Sequence, residues 1–231
     1  MVARHAGGGP IVKEWIELSG NHGRAYRAAP PRDEGPGVLV LHAWWGLNET
    51  IQSMADRLAE AGFLAIAPDL YRGVVVDTEE AAEREAERDA AERHATVAAA
   101  LDRLRGEPGV RPASLGMVGF SLGALFALEA AATDPSIVAA VLCYGTGPEH
   151  DWTASNASFQ GHFAELDPFE PLDGVEALEQ ALKRAGRRAE FHIYPGTGHW
   201  FMEPDRLDAY NEEAAELAWS RTLGFLREGV E

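Results

Sequence analysis

Cysteine occurs once in the 231 residues, which excludes an intramolecular disulfide and fits a reducing compartment. Basic residues are scarce beside acidic ones, 20 Lys and Arg against 37 Asp and Glu, for a formal net charge of −17. Nucleic acids and anionic membrane surfaces are bound through concentrated Lys and Arg that replace counterions, so neither is an expected partner. Long apolar runs are missing too. The stretch 137–144 is among the longest, and it falls well short of the ~20 residues that cross a bilayer. Residues 1–10 hold no apolar segment of the secretory type, so a soluble, cytoplasmic protein is expected.

The hydrophobic set makes up 46% of the chain and the charged set 25%, an ordinary globular balance. Its length suits one domain, expected over residues 11–231 behind a flexible 1–10 segment. No internal repeat is visible. Segments rich in Val, Ile, Leu and Phe alternate with amphipathic stretches, the pattern of parallel strands joined by helical crossovers. Strands are predicted at 11–18 and 23–29, paired antiparallel across the turn at Ser19 to His22, and then at 38–42, 63–67, 115–120, 137–144, 157–163 and 189–194. Helices are predicted at 50–61, 122–133, 175–185 and 207–228. The stretch 77–93 holds eight acids and three arginines among alanines. It reads as a solvated helix that continues through Leu104 to the break at Gly106 to Gly109. The fold class is α/β, a doubly wound, mostly parallel sheet with helices on both faces and no cap domain.

The chemistry starts at Gly119-Phe-Ser121-Leu-Gly123, a G-x-S-x-G pattern between a predicted strand and a predicted helix. That context makes it a nucleophile elbow, with small residues where strand and helix pack closely. A serine hydroxyl is a weak nucleophile without a base, and the base needs a group to hold its tautomer. His199 stands in a Gly-rich loop after the last predicted strand, in the chain order Ser, acid, His. The other histidines fit this position less well. Asp167, following the 157–163 strand, is the preferred acid; Glu165, Asp151 and Asp173 compete for the role. The backbone amides of Leu122 and Trp44 are the expected oxyanion donors. Cys143 reads as a core residue.

Leu41-His-Ala-Trp-Trp-Gly-Leu-Asn48, Ala67-Pro-Asp-Leu-Tyr71, Gly119-Phe-Ser-Leu-Gly123 and Gly198-His199, in this order, resemble the dienelactone hydrolase family of the α/β-hydrolase superfamily. The likeness runs from Ile11 to the C-terminal helix. It implies a cap-free hydrolase of esters or lactones that needs no metal or organic cofactor and acts on a small-molecule substrate.

Two positions depart from the family pattern. The namesake enzymes pair a cysteine nucleophile with a nearby glutamate, where this chain has Ser121 and Ala43. Four residues after the histidine, an arginine that grips a substrate carboxylate is replaced by Glu203. Glu203 is therefore expected to place negative charge at the pocket mouth, in a pocket of Ala43, Trp45, Phe163, Trp200 and Phe201 beside Trp44. Neutral acyl groups are expected over anionic dienelactone. The same residues also suit an acyltransferase or thioesterase, or a non-catalytic binder of a small apolar ligand. Oligomeric state is not legible.

Overall fold

The structure is a computed structural model that describes residues 9–88 and 90–230; residues 1–8 of the segment expected to be flexible lie outside it. Eight strands form one sheet: β1 (Val12–Glu17), β2 (Arg24–Ala29), β3 (Gly37–Leu41), β4 (Leu64–Pro68), β5 (Leu115–Phe120), β6 (Ile137–Cys143), β7 (Ser158–Ala164) and β8 (Ala189–Tyr194). Their order is β1-β2-β4-β3-β5-β6-β7-β8. β1 pairs antiparallel with β2, and β2 with β4, while every other pairing is parallel. Among the described residues five α-helices lie between strands, α1 (Glu49–Glu60), α2 (Glu79–Ala86), α3 (Ala90–Arg105), α4 (Leu122–Thr133) and α5 (Leu172–Arg184), and α6 (Glu212–Val230) follows the last strand.

Side chains alternate across a strand, so a sheet buried on both faces carries two cores. Leu39 and Leu41 of β3 with Met117 of β5 face α3, α4 and α5, where they meet Leu101, Phe126 and Leu178. Val38 and Val40 with Val118 and Phe120 face α1 and α6, where they meet Ile51, Leu58 and Phe225. This explains why the central strands read as continuous apolar runs rather than alternating ones. Cys143 is fully buried in the second core.

Capping sets several boundaries. Asn48 starts α1 by accepting a hydrogen bond from the Ile51 amide at 3.1 Å, the expected work of an N-cap side chain. The acidic stretch is not one helix but two, α2 and α3. Arg93 of α3 folds back, with a guanidinium N–H donating to the carbonyl of Ala86 at 2.6 Å and another to that of Glu85 at 3.3 Å. Its guanidinium thus adds donors to carbonyls at the end of α2, where the regular helical ladder runs out. Arg93 is consequently buried, not on a solvated face. The last helix begins at Glu212 rather than at residue 207. Asp205 accepts from the Thr50 hydroxyl at 2.7 Å and from Asn48 at 3.0 Å, which pins residues 203–206 to the start of α1 in turns. Asn211 then caps α6 through the Ala214 amide. No helix among the described residues is long and apolar enough to cross a membrane.

Leu39 is fully buried, whereas Leu207, whose apolar spacing suggested a helix, is 89% exposed. Leu39→Ala is expected to cost ~2–5 kcal/mol through the cavity it leaves. Leu207→Ala should stay within about 0.5 kcal/mol of the parent. Urea unfolding of both variants checks the pair, and equal midpoints would contradict the placement of the core.

Candidate active site

A parallel sheet delivers the C-terminal ends of its strands to one edge, which is where α/β folds assemble sites. Here Trp44 follows β3, Ser121 follows β5, Thr146 follows β6, Asp167 follows β7 and His199 follows β8.

Ser121 sits at φ 50°, ψ −113°, outside the regions that L-residues favour. Backbone packing holds it there. A Cβ on Gly119 would lie 2.4 Å from the Gly123 carbonyl oxygen, one on Gly123 2.3 Å from that of Leu41, and one on Gly145 2.5 Å from that of Ser121. The Ser121 amide also donates to the Cys143 carbonyl at 2.8 Å. The hydroxyl is thereby presented at the head of α4 rather than turned along it.

Ser121 Oγ lies 2.8 Å from His199 Nε2, and His199 Nδ1 lies 2.7 Å from Asp167 Oδ2. An ionised carboxylate only accepts, so the tautomer assigned from this network puts the proton on Nδ1 and leaves Nε2 to accept from the serine hydroxyl. Asp167 Oδ1 accepts from the amides of Phe169 and Glu170 at 2.9 and 3.1 Å, which fixes the carboxylate in its loop. The β7 and β8 exit loops are laced together. The Leu166 amide donates to the Thr197 carbonyl at 2.9 Å, and the Gly196 amide to Glu165 at 2.8 Å. Glu165 therefore ties loops together rather than meeting the histidine. Asp151 accepts from the Thr153 amide, and Asp173 lies in the first turn of α5.

The loop after β3 turns at residues 43–46, closed by the Gly46 amide on the Ala43 carbonyl at 3.3 Å. The Leu122 amide is the first of α4, where no intrahelical acceptor exists. His42 anchors this loop. Its Nε2 accepts from the Leu70 amide at 3.2 Å and its Nδ1 donates to the Ala43 carbonyl at 2.7 Å. Burial pushes its pKa down to about 4, so it serves as a neutral pin.

A cavity of ≈ 220 Å³ opens at Ser121, lined by Trp44, Leu122, Leu125, Thr146, Phe169, Glu170, His199 and Trp200. Of the expected wall residues, Trp44 and Trp200 line it, as does Leu122, which was expected only as an oxyanion donor, while five others do not. Phe163 is buried in the core beneath α4 and α5. Phe201 packs fully buried between Tyr144 and Tyr194. Ala43 belongs to the core on the α1 and α6 side. Trp45 lies behind Trp200, ring centroids 5.0 Å apart, with the Arg206 guanidinium 3.9 Å over its ring. Glu203 is not at the mouth at all: it is fully buried and accepts a 2.8 Å hydrogen bond from Tyr144. Neighbours of His199 in sequence are led inward by Trp200, whose φ is 65°.

The walls missing from the sequence reading are Leu125, Thr146, Phe169 and Glu170. Phe169 and Glu170 follow Asp167 in its own loop, and Leu125 sits one helical turn after Ser121, a proximity that was available as a signal. Thr146 had only its place after a central strand. Among the described residues no group of three or more His, Cys, Asp or Glu is placed to hold a metal ion.

Residues 24–230 match the model of the dienelactone hydrolase family. "Protein usf" of Aquifex pyrophilus is 31% identical over 225 residues, covering 92% of this chain and 96% of that protein. A protein of Escherichia coli strain K12 named "Putative carboxymethylenebutenolidase" is 32% identical over 231 residues, covering 92% and 85%. Among solved structures, one titled as a "Putative Dienelactone Hydrolase" from Klebsiella pneumoniae superposes with a TM-score of 0.84 at 29% identity, covering 95% of this chain and all of that one.

Burial raises the Glu203 carboxyl pKa to about 8, against about 4.3 in an unfolded chain. Between those values the folded state keeps a proton that the unfolded state has lost, so this group's contribution falls as pH rises through the window. Glu203→Gln keeps the shape and removes the titration. Its stability relative to the parent is expected to be ~2–4 kcal/mol more favourable at pH 8.5 than at pH 5. Urea unfolding at both pH values checks it, and a pH-independent difference would contradict the assignment.

Proposed function

The chain belongs to the dienelactone hydrolase family, and on that premise we propose that it hydrolyses a carboxylic ester or lactone through an acyl intermediate on Ser121. The observation that carries the reading is the continuous hydrogen-bonded line from Ser121 Oγ through both ring nitrogens of His199 to Asp167.

In the proposed cycle, Ser121 Oγ attacks the carbonyl carbon while His199 Nε2 takes its proton. Asp167 holds the Nδ1 proton in place and stabilises the imidazolium. The negative charge that develops on the carbonyl oxygen falls to the Leu122 and Trp44 amides as the proposed oxyanion donors. Collapse of the tetrahedral species expels the alkoxide, which receives the proton from Nε2 and leaves as alcohol or stays tethered when the substrate is a lactone. Water then attacks the acyl-serine with His199 again as base, releasing the acid and restoring Ser121.

The apolar surfaces of Trp44, Leu122, Leu125, Phe169 and Trp200 favour a small hydrophobic acyl group over a long chain, since the cavity is only ≈ 220 Å³. A pocket of this size suits short esters. The protein is proposed to act in the cytoplasm on a small molecule, without a metal or organic cofactor.

Ser121→Ala is expected to lower kcat/KM on short p-nitrophenyl esters by at least ~10³-fold, and Asp167→Asn by about 10³–10⁴-fold. A fluorophosphonate probe should label the parent and not Ser121→Ala. Retained turnover in Ser121→Ala would overturn the proposal. Labelling without net hydrolysis, but with transfer to an added alcohol or thiol, would redirect it to an acyltransferase.

A further inference from the structure

We propose that Glu170 sets the charge preference of the acyl pocket, admitting neutral and cationic acyl groups and turning away anionic ones. The inference rests on the hydrolase reading above and names the residue that would select its substrates.

Glu170 is the one carboxylate among the residues lining the cavity at Ser121, and it shares that lining with four aromatic or aliphatic side chains from other loops and helices, Trp44, Leu122, Leu125 and Trp200. Its position is built rather than accidental. The Thr146 hydroxyl donates to Glu170 Oε2 at 2.5 Å, and the Glu170 amide is held by Asp167. The head group is therefore fixed from the β6 exit loop and its backbone from the loop that carries the catalytic acid.

Burial and, to a smaller extent, the neighbouring Asp167 carboxylate raise the carboxyl pKa, while hydrogen bonds from the Thr146 side chain and backbone and the nearby His199 oppose that shift. A carboxylate beside a largely apolar wall is weakly screened, so its field reaches a ligand seated on Ser121 far more strongly than the charges of the outer surface do. A second carboxylate in the same cavity is repelled. An ammonium or a neutral hydrogen-bond donor is attracted.

Glu203, by contrast, is buried outside the cavity lining and accepts its hydrogen bond from the Tyr144 hydroxyl. It cannot act on the ligand from the pocket mouth, which leaves Glu170 as the carboxylate in the lining of the cavity at Ser121.

The test compares p-nitrophenyl butyrate with two esters of similar acyl length, the anionic p-nitrophenyl hydrogen glutarate and the cationic p-nitrophenyl γ-trimethylammoniobutyrate. The readout is the ratio of kcat/KM for each charged ester to that for butyrate. The parent should rank cationic at or above neutral, and neutral above anionic. In Glu170→Gln the anionic-to-neutral ratio should rise about tenfold or more and the cationic-to-neutral ratio should fall. Glu170→Asp, which keeps the charge, should retain most of the parent's bias. Glu176→Gln, which removes one formal charge from the exposed surface of α5, should leave both ratios within about twofold.

If Glu170→Gln does not fold, the parent alone decides. At about 0.15 M salt, propylboronic acid should then inhibit about tenfold more tightly than its carboxylated analogue, and equal affinity overturns the assignment. Ratios unmoved by Glu170→Gln, with butyrate still hydrolysed, also overturn it while the hydrolase reading stands. Absence of turnover on all three esters together with no fluorophosphonate labelling of Ser121 defeats the hydrolase reading, and the proposal falls with it.

Discussion

The arrangement depends on one close approach of backbone to backbone, at the turn from β5 into α4. Ser121 holds a positive φ that costs about 1–3 kcal/mol for a residue with a side chain. It persists because its neighbours leave no alternative: Gly119, Gly123 and Gly145 each sit against a main-chain carbonyl at a distance no Cβ tolerates. Those contacts join the ends of β3, β5 and β6, so the strained serine and the loops that surround it are parts of one packed unit. Relaxing Ser121 into a helical conformation would require moving two neighbouring strands.

That unit explains why two further loops can be positioned with hydrogen-bond accuracy. β7 and β8 continue the parallel register outward from β6, and their exit loops are cross-linked by the Leu166 and Gly196 bonds. Asp167 and His199 thereby approach each other as neighbours, although 32 residues separate them. The two cores serve the same end. Leu39, Met117 and Phe126 on one face and Val40, Phe120 and Phe225 on the other clamp the sheet, and the His42 bridge to Leu70 adds a rigid anchor to the loop bearing the Trp44 amide.

Most of the architecture was legible because its signals are periodic. Strands buried on both faces show as unbroken apolar runs, β5 and α4 coincide with their predicted spans, and Ser121, Asp167 and His199 were selected by context and chain order before geometry joined them. The failures fall where periodicity is silent. The separation of α2 from α3 depends on Arg93 reaching back to the carbonyls at the end of α2, a tertiary contact with no local marker. The late start of α6 depends on Asp205 reaching Thr50, which overrides the helical spacing of Leu207. Phe163 and Phe201 were expected in the pocket because they neighbour functional positions in sequence, and Glu203 because it stands at the position of the family's arginine. In a strand, however, adjacent residues face opposite sides, and in the turn at Trp200 the chain dives into the core. Nearness along the chain fixed their distance from the site but not their direction.

Charge in this molecule is better understood by its donors than by its total. Of the carboxylates near His199, Asp167 accepts three N–H donors, from His199, Phe169 and Glu170. Glu170 accepts from Thr146 and borders the cavity, and Glu203 has Tyr144 on one oxygen while the other lacks a partner. A buried carboxylate is stabilised as an anion in proportion to the donors aimed at it, so these three groups differ in kind. The best-supplied one, Asp167, is in place to orient the histidine, Glu170 is in place to act on a ligand, and Glu203, fully buried, is held toward its protonated form by that burial and behaves as part of the core. The −17 of the whole chain predicts none of this. Part of it lies on the acidic surface around α2, where water and salt screen it, whereas a single carboxylate beside Trp44 and Leu125 acts at close range in a medium that screens poorly.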